Sequence, residues 1–202
     1  MSATGLDSAP APAQGLDRTA RGQLSMDHGN TAPDIVTDRL RLRSFRAGDF
    51  EEYAGLVGHP LVARHVGDGT RLDRTAAWRH LAMVLGHWIL RGCGMWAVEH
   101  DGRMVGRVGL LHPDGWPALE LAWALHPDVW NRGLGTEAAA AAMDWAFDVH
   151  GADRLISMVR PDNTASIRVA EKLGMHREDS LVLLGQPALV YARGRDIRQA
   201  SP

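Results

Sequence analysis

The chain has a single cysteine, Cys93, among 202 residues. No disulfide can form within it, and such usage fits a reducing compartment, so a cytoplasmic protein is expected. No apolar run approaches the ~20 residues of a membrane-crossing helix. The formal net charge is only -2 at pH 7, which removes the general electrostatic reason to expect nucleic acid. Ten histidines are present, but none stands in His-x-x-x-His or His-Glu-x-x-His spacing, and Cys93 has no ligand beside it. No metal site is expected. The Gly-Lys-Ser/Thr of a phosphate-loop NTPase is also absent.

What is present suffices for one domain with a real core: 45% of the residues are hydrophobic. Residues 1–34 are rich in Ala, Pro, Gly, Ser and Asp and lack apolar periodicity, so they read as a disordered tail. The folded domain is expected over 35–195, followed by a C-terminal tail, 196–202.

Residues 37–43 alternate polar and apolar, as a strand with one wet face does. Gly48-Asp49 opens a helix with Phe50, Tyr53, Leu56 and Val57 on one side. Residues 61–72 are irregular and carry Arg64 and His65. A second helix runs from Asp73 to Gly92 with a stripe of Ala77, Leu81, Val84, Leu85, Trp88 and Ile89. Met95–Val98 and Met104–Leu111 form a hairpin around Asp101-Gly102. Leu119–Leu125 is a buried strand, and an alanine-rich helix follows from Leu134 to about Val149. Arg154–Val159 is a strand, and Asp162-Asn163 opens a short helix closed by Gly174. A final hairpin of 175–184 and 188–193 turns at Gly185-Gln186-Pro187. The order β-α-α-β-β-β-α-β-α-β-β implies an α/β (α+β) fold. It has a mixed, mostly antiparallel sheet, a central parallel βαβ unit over 119–159 and helices on both faces.

Between the central strand and its helix lies Asn131-Arg132-Gly133-Leu134-Gly135-Thr136. The first amides of a helix lack partners and sit in the positive end of its dipole. Two glycines let a ligand approach them, so this turn reads as an anion site, with phosphate as the usual occupant. Gly133-x-Gly135-x-x-Ala138 also fits a dinucleotide fingerprint. That motif needs a tight turn straight after the strand and further βα units. Here seven residues intervene and a hairpin follows.

The element order, the turn Trp130-Asn131-Arg132-Gly133-Leu134-Gly135-Thr136-Glu137-Ala138, and Asn163-Thr164-Ala165-Ser166-Ile167-Arg168-Val169-Ala170-Glu171-Lys172-Leu173-Gly174-Met175 resemble the GCN5-related N-acetyltransferases (GNAT). Within them the chain is most similar to the RimJ/RimL-like ribosomal-protein branch. The resemblance spans about residues 35–195. It implies acetyl-coenzyme A across the splayed ends of the 119–125 and 154–159 strands, touching Leu125. The pyrophosphate would sit on the amides of Asn131, Arg132, Gly133, Leu134, Gly135 and Thr136, and the pantetheine arm would face Asn163 and Ser166. Many relatives place a tyrosine acid where Ala170 stands here, so the acid is not identified. The partners implied are acetyl-coenzyme A and an amine acceptor, with no nucleic acid, no membrane and a homodimer left open.

Acetyl transfer to an amine needs a neutral amine, an oxyanion donor, support for the leaving thiolate and alignment. Glu120 alternates with Leu119, Leu121 and Trp123 and is the candidate base, acting through water. Its other reading is a cross-strand pair with Arg107. Glu178 is the reserve carboxylate. Ser166 is the candidate to support the thiolate; Asn163 and Ser166 also read as a helix cap. Tyr191 is an alternative acid or simply core. Arg132 and Thr136 either add to the anion site or are solvated and capping. Trp116, Trp123 and Trp130 line an acceptor pocket or are core. A non-catalytic acyl-coenzyme A sensor would keep the turn and lose the base.

Overall fold

The computed structural model describes residues 32–195; the N-terminal residues up to 31 and the C-terminal 196–202 lie outside them, so the reading of the C-terminal tail and of all but the last three residues of the N-terminal tail falls there. The strands are β1 (Ile35–Val36), β2 (Arg41–Arg43), β3 (Met95–His100), β4 (Arg103–Leu111), β5 (Glu120–Leu125), β6 (Arg154–Val159), β7 (His176–Leu183) and β8 (Gln186–Gly194). They form one sheet in the order β1-β2-β3-β4-β5-β6-β8-β7. Every pairing is antiparallel except β5 with β6. The helices are α1 (Phe50–Gly58), α2 (Pro60–Ala63), α3 (Arg74–Arg91), α4 (Leu134–Asp148) and α5 (Thr164–Lys172).

Strand alternation decides which helix meets which face. Leu121 and Leu125 of β5 join a core with Ala138, Ala142 and Ala146 of α4 and Ala170 and Leu173 of α5. Ala124, Ala97 and Met104 look the other way, into a second core with Tyr53, Leu56 and Val57 of α1 and Ala77 and Leu81 of α3. The alanines of α4 let that helix lie close on the sheet, while Trp88, Trp96 and Trp145 pack edge to face at the sheet's other end.

Several local readings are corrected. The first strand is broken: Thr37 Oγ1 accepts from Leu40 N at 3.0 Å, making a side-chain turn between β1 and β2. Residues 32–34 pack on the fold, because Ala32 is buried and Trp96 Nε1 donates to Pro33 O. Asp49 does not cap α1 with its carboxylate. That group is buried against Arg43 at 2.7 Å, with a second bond from Arg46 N. The stretch after Gly58 is not wholly irregular, since His59 caps the single turn α2 through Nδ1. On α3, Leu85 and Ile89 are exposed. The last turn is tighter than expected: Leu184 and Gly185 both have positive φ, so the two-residue hairpin leaves Gln186 and Pro187 in β8.

Candidate active site

The only register pair between β5 and β6 is Glu120 with Ile156, supported by Ile156 N donating to Leu119 O at 3.0 Å. Past it the strands part. Ser157 Oγ donates to Leu121 O at 2.6 Å, so a side chain takes the place of the next ladder bond. A β5 edge facing no strand is a place where an extended ligand can satisfy main-chain groups.

The turn expected at the end of β5 opens α4 from Gly133, whose φ is +78°. Asn131 is also left-handed, at φ +60°. No side chain caps the helix, so the amides of Leu134, Gly135 and Thr136 keep their unpaired positive ends outward. Gly133 is required by its backbone. Gly135 is not: a Cβ there would make only an ordinary 3.6 Å contact with Leu125. The fold itself therefore does not demand a glycine at this position. Arg132 is turned away. Its guanidinium lies 3.1 Å from His100 Nε2, and its carbonyl accepts from Arg39. Glu137 in the first turn binds Arg39 and Thr37, anchoring the helix mouth to β1–β2 rather than filling it. Trp130 Nε1 donates to Leu125 O at 2.8 Å and holds the loop to the strand end.

Glu120 lies on the α1/α3 face and is 7% exposed. Trp116 Nε1 donates to its Oε2 at 2.7 Å, and Met158 N reaches Oε1 at 3.4 Å. Burial pushes its carboxyl up to about 7, against the opposing pull of these bonds and of the Arg107 charge. A carboxyl balanced there exchanges protons readily near neutral pH. The expected alternative, an ion pair with Arg107, is not formed: Arg107 Nε and Nη1 are buried without a hydrogen-bond partner among the described residues.

Two further groups on this face were not singled out by the sequence. The Tyr53 hydroxyl lies 2.7 Å from His80 Nδ1. Burial pushes the Tyr53 phenol up and drives the His80 imidazole down to about 4, with Arg107 adding to the latter effect. The neutral imidazole and the un-ionised phenol share a hydrogen bond. Tyr53 reads in sequence as one more apolar position of α1, and nothing in the spacing pairs it with His80.

The segment after α2 borders the opening between the strands. His65 Nε2 lies 3.3 Å from Asp162, and Arg160, buried at the end of β6, donates to Gly67 O and Pro187 O. Asn163 caps α5 by accepting from Ser166 N at 3.2 Å, so its side-chain oxygen is engaged in the fold. The half-buried Ser166 hydroxyl has no partner among the described residues. Glu178 is remote from this cleft, exposed and paired with Arg154. Tyr191 faces Ser157 across β6–β8 and packs in the α4/α5 core, on the face opposite Glu120. Trp123 packs in that same core, leaving Trp116 as the tryptophan that reaches Glu120.

The described residues hold no group of three or more metal-ligating side chains and no helix long and apolar enough to cross a membrane. The acetyltransferase (GNAT) domain family matches residues 39–176. Among curated proteins, "Uncharacterized protein YkkB" of Bacillus subtilis is 28% identical over 174 residues, covering 81% of this chain and 97% of its own length. "Uncharacterized N-acetyltransferase YnaD" of the same organism is 32% identical over 150 residues, covering 71% and 83%. The crystal structure of an acetyltransferase from Agrobacterium tumefaciens superposes with a TM-score of 0.73 at 30% identity, covering 81% of this chain and 95% of that one. RimL, a ribosomal L7/L12 α-N-protein acetyltransferase solved with coenzyme A, shares the fold at a TM-score of 0.68 but only 19% identity, covering 80% and 97%. The splayed sheet, the uncapped helix mouth and these matches agree: the chain belongs to the GNAT acetyltransferase family and is an acyltransferase.

Proposed function

We propose that the protein moves an acetyl group from acetyl-coenzyme A to a primary amine by direct transfer in a ternary complex. Glu120 is the observation that carries this reading. A buried carboxyl near pKa 7 stands at the last pair before β5 and β6 part, on the face away from α4. The uncapped amides of α4 and the bare Gly135 suit a diphosphate, and the edge of β5 suits an extended arm. RimL carries coenzyme A on the same fold, which supports the same use of the cleft here.

In the reaction the amine nitrogen bonds to the thioester carbonyl carbon, the carbon–sulfur bond breaks with its electron pair leaving on sulfur, and the proton the new amide nitrogen sheds passes to that sulfur to give the free thiol. Glu120 takes the amine proton through a bridging water, which keeps the amine neutral below its solution pKa of ~8–10. Ser166 offers its hydroxyl to the departing sulfur. The acceptor is a protein N-terminus or a small amine. Mixing the protein with acetyl-coenzyme A and pooled amines, while following free thiol, tests the reading. Thiol release that requires an amine supports it; coenzyme binding without release under every amine overturns it and leaves a binding module.

A further inference from the structure

Arg107 is the cation on the cleft face that the transfer chemistry does not use. It lies in the middle of β4 and is 5% exposed. The other two buried arginines are engaged: Arg43 by Asp49 and Glu99, Arg160 by two carbonyls. The Nε and Nη1 of Arg107 are the buried side-chain polar atoms left without a partner among the described residues. The Tyr53 hydroxyl hydrogen-bonds to the rest of the guanidinium, but two buried donors left unmet are still costly, and folds seldom keep them without an occupant.

The strand residues beside it are small. Strand pairing places Ala97 and Ala124 on either side of Arg107, and Gly109 and Ala122 form the next pair along β4–β5. None carries more than a methyl group. Gly109 is bare because a Cβ would strike Gly94 O at 2.2 Å. Ala122 is only half-buried. Glu120 follows on the same face, ~13 Å of strand from Ala124. A ligand lying over Ala122 thus has Glu120 at one end and Arg107 at the other.

A neutral acceptor would leave the buried cation uncompensated. A carboxylate matches both its charge and its two idle donors. We propose that Arg107 binds the anionic end of the acceptor, and that the acceptor is a small amine carrying a carboxylate, of the amino-acid class. This rests on the acetyltransferase reading above. Tyr53, hydrogen-bonded to Arg107, and His80, 2.7 Å from the Tyr53 hydroxyl, stand at the same end of this face.

The test uses the full chain with two matched pools: amino acids and the corresponding amino-acid amides. Thiol release from acetyl-coenzyme A gives kcat/KM for each pool. Calorimetry with N-acetylated amino acids and their amides gives affinity without needing turnover. The carboxylate forms are expected to win by at least ~10-fold in both readouts, the size of one charge-assisted contact. Arg107→Met should abolish the preference and Arg107→Lys should keep part of it, with coenzyme A affinity unchanged in both. Should the methionine variant fail to fold, the lysine variant and the wild-type pools still decide. Amides that bind and react as well as the acids, or a preference that survives Arg107→Met, would overturn the inference while leaving acetyl transfer intact. A carboxylate preference in binding with no thiol release would retain Arg107 and remove the transfer reading instead.

Discussion

Replacing Glu120 by Gln separates the cost of the buried carboxyl from its use. In the fold the group is pushed up from 4.5 to about 7, chiefly by burial. A folded value above the unfolded one has a definite consequence for stability. Below about pH 4.5 the group is protonated in both states and costs nothing. Between 4.5 and 7 unfolding releases its proton, so stability falls as pH rises. Above 7 the full loss stands. At roughly 1.4 kcal/mol per pH unit the loss is about 3 kcal/mol. Glutamine is neutral throughout and keeps an oxygen for Trp116 Nε1, but it forgoes the long 3.4 Å contact from Met158 N, worth about 1 kcal/mol at most. Glu120→Gln should therefore be more stable than the parent by about 2 kcal/mol at pH 8 and no more stable at pH 4.5. Other titrating groups cancel in the comparison. Urea unfolding of both proteins at the two pH values measures this. Thiol release should drop ~10²–10⁴-fold in the variant, with coenzyme A binding intact. The parent's kcat/KM should rise through a limb near pH 7 that the variant lacks. No gain in stability at pH 8 would refute the account of the buried carboxyl, and near-normal turnover would refute the base.

Gly135→Val should fold, since its Cβ has room beside Leu125, yet weaken coenzyme A binding by ~10-fold or more by crowding the α4 amides; an unchanged Kd by calorimetry would count against the anion site. Ser166→Ala keeps the cap, which uses the Ser166 main-chain N–H, so stability should stay within about 0.5 kcal/mol while kcat falls and the acceptor KM holds. Equal kcat would remove Ser166 from the thiolate's side. Arg43→Ala leaves Asp49 buried without its 2.7 Å partner and should cost about 3–5 kcal/mol in urea unfolding. A smaller loss would mean that water reaches Asp49.

The opening of α4 at Gly133 was legible because a glycine-rich turn after an apolar strand marks a helix start. The order of elements was legible because periodicity and turn chemistry are local. Strand β6 and the Asp73 and Gly92 ends of α3 follow from apolar runs and caps that lie within a few residues of one another. Glu120 stood out because a carboxylate in an apolar strand is conspicuous. The direction of the Arg132 side chain was not legible, since it depends on His100, distant in sequence. Asp49 looked like a cap until Arg43, on another element, claimed it.

The sequence by itself determined the fold class, the glycine-rich turn that opens α4 and the strand on which Glu120 lies, because each rests on spacing within one element. Only the tertiary structure decided that Glu120 and Arg107 share a face without pairing. It alone brought Tyr53 to His80 and left two guanidinium nitrogens without a partner among the described residues, beside a row of small strand residues. Those facts depend on register between strands and on which helix covers which face. Register is set by the sum of packing across the sheet, and no single stretch of chain records it.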